Sequence, residues 1–364
     1  MILQLYLAQR YFKNFLTVLA IFAMIHMVVD LTEQMRKIAL NGGDLGDALT
    51  LALLNMPSAL YSLFPLVVML ATLVFFLSLA RSSELVVVRA SGRSALRATM
   101  APIGVAALIG IIGLLVINPI VADTQIAHER KLAQVRGTQE RTLAITQEGL
   151  WLRQGTRDQQ TVINALRANS DGTQLFDVTF YNFDTFGRIE QRIDADEARL
   201  GLQSWDLTRA KIWDLTQTNP EASAESFESY AVPSTLTREQ ILDSFGDPSN
   251  ISIYALPDFI TQLQDAGFAG LSHRVWFQMQ LANPLMLMSM VLIGASLTMR
   301  HTRFGRTGPL VLAAILLGFG LYFLRSFAQV LGENGQLSAF IVAWTPPLAG
   351  SLLALGVILH MEDG

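Results

Sequence analysis

The feature that most limits what this chain can fold into is Ala48–Ala80, 33 residues without a charged side chain. As a helix it would run about 50 Å, deeper than the interior of an ordinary globular domain, whereas a bilayer core asks for about 20 apolar residues. Five more uncharged runs accompany it: Asn14–Val29, Ala98–Ala122, Val275–Met299, Thr307–Leu324 and Asn334–Met361. Apolar residues make up 51% of the chain, and mean hydropathy is +0.39. The expected class is therefore an α-helical polytopic membrane protein with six transmembrane helices, three on each side of an insert. The early part of the long run, with Asn55 and Pro57, lies at the interface or bends, and the span proper follows Pro65. Leu31 and Thr32 finish the first helix at the surface, followed by a charged turn. No small-x-small cleavage site follows the first apolar segment, so residues 1–30 read as an anchor.

Orientation follows from lysine and arginine in the short loops. One side holds Arg10, Lys13, Arg81, Arg89, Arg93, Arg97, Arg300, Arg303 and Arg306; the other holds Arg36 and Lys37. The richer side is expected to be cytoplasmic. Both termini then lie inside, and Asp123–His273 lies outside.

That segment has a different composition. It carries 22 acidic and 13 basic residues, a net of −9, which leaves +5 on the rest of a chain whose total is −4. An acidic exterior domain is a poor match for nucleic acid. Alternating patterns at Gly149–Arg153, Thr161–Ala165, Leu175–Phe183, Arg188–Asp194 and Ser204–Leu215, the last in two pieces, predict an antiparallel all-β domain. Leu150, Val162, Phe176, Val178, Phe180, Ile189 and Trp205 occupy its apolar face, as a filled core or as an open groove. Asn219–Ser229 reads as a loop, and Thr237–Phe245 and Leu256–Ala266 as short helices, the second closed by Gly267. The domain boundaries are 1–122, 123–273 and 274–364.

Between the second and third spans lies Arg81–Arg97, a basic island in which Ser83 can cap a helix over residues 82–92 and Glu84 sits in the first turn. Two readings fit. The arginines merely mark the inner side, or the helix is a coupling knob that meets a partner. Arg36 and Lys37 likewise either anchor the first helix at the outer surface or face an anionic headgroup. Arg325, near the end of the fifth span, either snorkels or faces a cavity. Gly104, Gly110 and Gly113 offer a packing face on the third span. Asn283-Pro284 bends the fourth span, and Pro346-Pro347 interrupts the sixth.

The chain has no Walker A pattern, no H-E-x-x-H and no G-x-S-x-G. It has no cysteine, and its five histidines are scattered. Neither a catalytic centre nor a metal site is expected. If the protein moves something uphill, the energy comes from a partner ATPase or an ion gradient. The absence of acidic residues at the depth of the membrane midplane favours the partner.

Three spans, an external β domain, three more spans and the motif Ser83–Gly92 (SELVVVRASG) together resemble the LptF/LptG permeases of the lipopolysaccharide-export ABC transporter. Glu148-Gly149-Leu150-Trp151, Phe180–Asp184, and Phe277-Gln278 before Pro284 support the resemblance, and the wording of the hinge is closer to the LptG half. The resemblance implies a permease that extracts lipopolysaccharide from the inner membrane, paired with an LptF-type permease on an LptB-type ATPase dimer. An LptC-type anchored protein begins the periplasmic bridge, and the β domain is jellyroll-like. It further implies ATPase coupling at Glu84 with Arg89 and Arg93, and lipopolysaccharide binding at Arg36 and Lys37, with Arg325 as an added candidate. Phe176, Val178, Phe180 and Ile189 would line a periplasmic apolar groove. ATP and magnesium would sit on the partner, leaving this chain without a cofactor. Where the family can carry a further basic residue before Lys37, this chain has Asp30. The alternatives are a membrane-anchored scaffold or binding protein, and the permease of another lipid or lipoprotein exporter.

Overall fold

The computed structural model describes residues 2–39, 42–82, 84, 94–136, 143–146, 149–155, 160–169, 172–184, 188–234, 236–237, 241, 246–299 and 307–363. The chain divides into two compact units. One comprises Met1–Gly137, Ser249–Tyr254 and Leu271–Gly364; the other comprises Thr138–Pro248 and Ala255–Gly270.

The first unit is helical. Its elements are α1 (Ile2–Ile38), α2 (Leu45–Arg81), α3 (Ala95–Ile112), a π-turn (Gly113–Ile117), α4 (Asn118–Arg136), α6 (Leu271–Thr298), α7 (Thr307–Glu333) and α8 (Ala339–Asp363). The described residues hold six helices long and apolar enough to cross a membrane, with α3, the π-turn and α4 counted as one. The chain is a multi-pass membrane protein with three spans before the insert and three after it.

α1 is one continuous helix of 37 residues, about 56 Å long, so it begins earlier and ends later than its uncharged run. The expected charged turn after Thr32 is helix instead, because Glu33 pairs with Arg36 and Lys37 one turn ahead. α2 opens on a reciprocal cap. Asp44 accepts from the Asp47 amide at 2.8 Å, and Asp47 accepts from the Asp44 amide at 3.4 Å. It passes through Pro57 and Pro65 without a break, and α8 likewise runs through Pro346-Pro347, which does not interrupt it. Surrounding helices exclude water from such sites, so the single carbonyl each proline frees costs less than ending the helix would.

α2 and α6 form the centre of this unit, with Val67, Val68, Met69, Phe75, Met290 and Val291 fully buried among their neighbours. Gly110 of α3 rests against Pro284 of α6, where a Cβ would come within 2.5 Å of the proline Cα. The glycine thus serves close packing at the Asn283-Pro284 site. At the far end of the third span, Pro119 has no N–H to offer the Leu115 carbonyl, and the Tyr254 hydroxyl donates to it at 2.8 Å. Asn118 accepts from the Ile253 amide at 2.8 Å, and Asn250 donates to Glu129 at 2.5 Å. Residues 249–254 are thereby strapped along α4 and the π-turn.

The second unit holds β1 (Leu143–Thr146), β2 (Gly149–Gly155), β3 (Gln160–Ala168), β4 (Gln174–Phe183), β5 (Ile189–Leu200), β6 (Ser204–Asp214), β7 (Glu225–Pro233) and α5 (Leu256–Asp265). The strands form one seven-stranded sheet in chain order, every neighbour antiparallel. β6 is a single strand, and β7 begins inside the stretch expected to be loop. The second short helix stands as expected. Gly267, at φ +96°, closes it, with the Phe268 amide donating to the Leu263 carbonyl at 2.9 Å and the Gly267 amide to Gln264 at 2.9 Å. The Thr237–Phe245 helix lies mostly outside the described residues.

Strict alternation fails in the middle of this sheet. Ala165 and Ala168, Leu175 and Val178, Ala195 and Ala198, and Leu207 and Ala210 are buried three residues apart on four adjacent strands. Asp177 and Arg209 adopt φ +52° there, which turns the pleat over. An Asp196–Arg209 ion pair bridges the same row.

Candidate functional site

The carboxylate of Glu84 is engaged from α1. Arg10 Nη1 donates to Glu84 Oε2 at 2.6 Å, and the Tyr6 hydroxyl donates to the same oxygen at 3.1 Å. Arg10 also donates to the Tyr6 hydroxyl at 2.8 Å and to Ser78 Oγ of α2 at 3.4 Å. Tyr6 and Arg10 share a face because they lie four residues apart on a helix. The hydrogen bond from Arg10 is the main reason the Glu84 carboxyl is held below the usual carboxylate range. On the other side of the hinge, Ser94 caps α3 by accepting from the Arg97 amide at 3.2 Å, while the Arg97 carbonyl accepts from Gln4 Nε2 at 2.8 Å. Leu85–Arg93, with Arg89 and Arg93, lies outside the described residues.

At the opposite end of α1, Arg36 and Lys37 pair, among the described residues, with Glu33 of their own helix at 2.8 and 3.6 Å, and Arg36 is 78% exposed. From Arg10 to Lys37 the helix rises about 40 Å, close to the thickness of a bilayer with its headgroups. Asp30 is not part of this exposed group. It is 7% exposed and turned inward, where it accepts from Gln34 and from Asn55 of α2, both at 3.2 Å. Asn55 in turn accepts from Gln125 of α4 at 3.1 Å. This polar chain joins α1, α2 and α4, and Lys131 of α4 pairs with Asp47 of α2 at 2.7 Å nearby.

Arg325 lies two turns inside the end of α7, since the helix continues to Glu333 rather than stopping at the arginine. It is half-buried, its electrostatic neighbours are Tyr61 and Tyr322, and no carboxylate within ion-pair distance of it occurs among the described residues. Tyr61 donates to Gln280 at 2.7 Å, so α2, α6 and α7 bring polar groups together inside the helical unit. No grouping of histidines and carboxylates suited to a metal ion occurs among the described residues.

Residues 5–360 match the family of lipopolysaccharide export system permeases LptF/LptG. The chain belongs to that family. It is 24% identical over 353 residues to the lipopolysaccharide export system permease protein LptG of Haemophilus influenzae, covering 94% of this chain and 90% of the relative. It is 23% identical over 365 residues to the protein of the same description from Escherichia coli K12, covering 97% and 94%. As an LptF/LptG permease it is a membrane subunit of an export system and not its ATPase.

Within this LptF/LptG chain the expected apolar set of the β unit is only partly brought together. Val178 and Phe180 are fully buried, and Phe180 meets Trp205 edge-on at 6.4 Å. Leu236, Ile241, Leu263 and Phe268 pack on the same face. Phe176 is turned away from them by the left-handed residue that follows it, and Ile189 is 40% exposed beside a register shift at Asn182/Phe183. Reading the sequence also missed Gln4, Tyr6 and Arg10 as neighbours of the hinge, for which the helical spacing of Tyr6 and Arg10 was the only signal. It missed an apolar groove of about 270 Å³ as well, lined by Ile293, Leu316, Leu321, Gly350, Leu353 and Val357 of α6, α7 and α8.

Proposed function

We propose that this LptF/LptG permease extracts lipopolysaccharide from the inner membrane and hands it to a periplasmic bridge, driven by an LptB-type ATPase dimer. Its other partners are an LptF-type permease and an LptC-type anchored protein, and ATP and magnesium belong to the ATPase. Both termini and the Glu84 hinge lie in the cytoplasm, and the β unit lies in the periplasm. The reading is carried by α1, which reaches the only described carboxylate of the hinge at one end and displays Arg36 and Lys37 about 40 Å away at the other. Arg36 and Lys37 meet the anionic groups of the glycolipid, Arg325 supplies a further cation within the bundle, and Arg89 and Arg93 share the ATPase-coupling role with Glu84. Acyl chains rise along Val178 and Phe180 once the face holding them is uncovered.

The deciding experiment is purification of the complex from its native membrane, with the copurifying ATPase and lipid identified by mass spectrometry. An ATPase together with lipopolysaccharide supports the reading. An anchored scaffold would bring neither, and a different exporter would bring a different lipid. The chain has no cysteine, so Ser94→Cys and Thr218→Cys give clean topology probes. The first should be labelled only after the membrane is opened and the second from outside; the reverse result sinks the proposed orientation.

A further inference from the structure

We propose that the N-terminal turns of α1, through Gln4, Tyr6 and Arg10, form a clamp that positions both shoulders of the ATPase-facing hinge and delivers its displacement into the first span. The inference rests on the coupling role of Glu84 given above. It adds three residues to which no role in that coupling has been attached.

The geometry comes from the helix itself. At 100° per residue, Gln4, Tyr11 and Leu7 lie along one edge of α1, followed by Arg10 and then Tyr6, so the five cover about half of its circumference. Leu7 and Tyr11 are buried and hold this end of α1 in the core. Tyr11 lies edge-on to Phe75 of α2 at 5.6 Å and bonds through its hydroxyl to Thr72 at 3.2 Å. From that seat, Tyr6 and Arg10 reach the shoulder that ends α2, at Ser78 and Glu84, while Gln4 reaches the shoulder that begins α3, at the Arg97 carbonyl.

A helix fixed between both ends of a loop takes up any change in their separation. The guanidinium suits this position because its rigid fork contacts three groups at once, Glu84, Tyr6 and Ser78, which an ammonium on a flexible stem cannot match. The clamp does not consume the carboxylate. Glu84 remains 36% exposed, so a donor on the ATPase can share it while Arg10 stays in place. A push on Glu84 is then a push on α1, whose far end carries Arg36 and Lys37.

The test uses the whole complex, permeases with ATPase, in proteoliposomes loaded with lipopolysaccharide, comparing wild type, Arg10→Ala, Arg10→Lys and Gln4→Ala. Three readouts are taken: ATPase retained on purification, ATP turnover, and lipid released per ATP hydrolysed. In Arg10→Ala the first two should hold while lipid released per ATP falls roughly two- to fivefold, the range open to an ion pair of this exposure. Arg10→Lys should recover part of the loss, and Gln4→Ala should show a smaller loss of the same kind. Wild-type release per ATP in Arg10→Ala overturns the clamp. So does loss of the ATPase from that variant, because Arg10 would then belong to the assembly surface. If the wild-type complex itself releases no lipid on ATP hydrolysis, the proposed function fails, and that failure is visible before any variant is made.

Discussion

The two ends of α1 treat their charges differently. At the Glu84 end, Arg10 bonds across to a carboxylate 74 residues away and to a hydroxyl on α2. At the other end, Arg36 and Lys37 pair, among the described residues, with Glu33 of the same helix, and Arg36 stays largely in the open. A pair that crosses between elements fixes their relative position, whereas a pair within one turn fixes little and exchanges readily for another anion. One end is tied across elements and the other is not, the asymmetry that the lever proposed above requires.

The largest expected effect comes from reversing the handle. Glu84→Lys places a cation against Arg10 and against any donor on the ATPase, and it should reduce ATPase retention by at least about tenfold. Normal retention with normal ATP-driven release would erase the distinction between the two ends. Next comes Arg36→Ala with Lys37→Ala, expected to lower lipid release roughly three- to tenfold at unchanged ATPase retention, with the loss shrinking as salt is raised. Equal release from the double variant would show that the exposed end grips nothing.

Asp30→Ala asks whether the inward chain above Arg36 is structural. It strips Asn55 and Gln34 of their acceptor and should cost about 1–3 kcal/mol, read as a lower unfolding temperature in detergent with lipid release per ATP intact. The smallest effect concerns pH. Because Arg10 lowers the Glu84 pKa, their link is at full strength above the ordinary glutamate value and is lost only as pH falls through the lowered one. In Arg10→Gln the acid limb of coupled release should therefore move to higher pH, and coincident limbs would show that Glu84 is not the titrating group.

The spans were legible because absence of charge over 16 or more residues, as in Asn14–Val29, leaves a helix few alternatives to lipid. The strands were legible wherever side chains alternate. Phe176 was not, because one left-handed residue, Asp177, turns the pleat over, and local sequence does not announce it. Nor was the burial of Asp30, whose partners Asn55 and Gln125 lie on two other helices and close around it only when the three pack. The same reason hid the link from Arg10 to Glu84: both residues were in view, but nothing near either one in sequence names the other.

The strap formed by residues 249–254 has a practical consequence. The polypeptide leaves the helical unit, returns for six residues, and leaves again before Leu271. A soluble fragment cut at the obvious limits of the β unit would keep that strap but lose its seat at Asn118 and Leu115, baring Ile253, which is 7% exposed in the intact chain. Such fragments should self-associate through this stripe, and Ile253→Ser should restore monomers on a sizing column without disturbing the sheet.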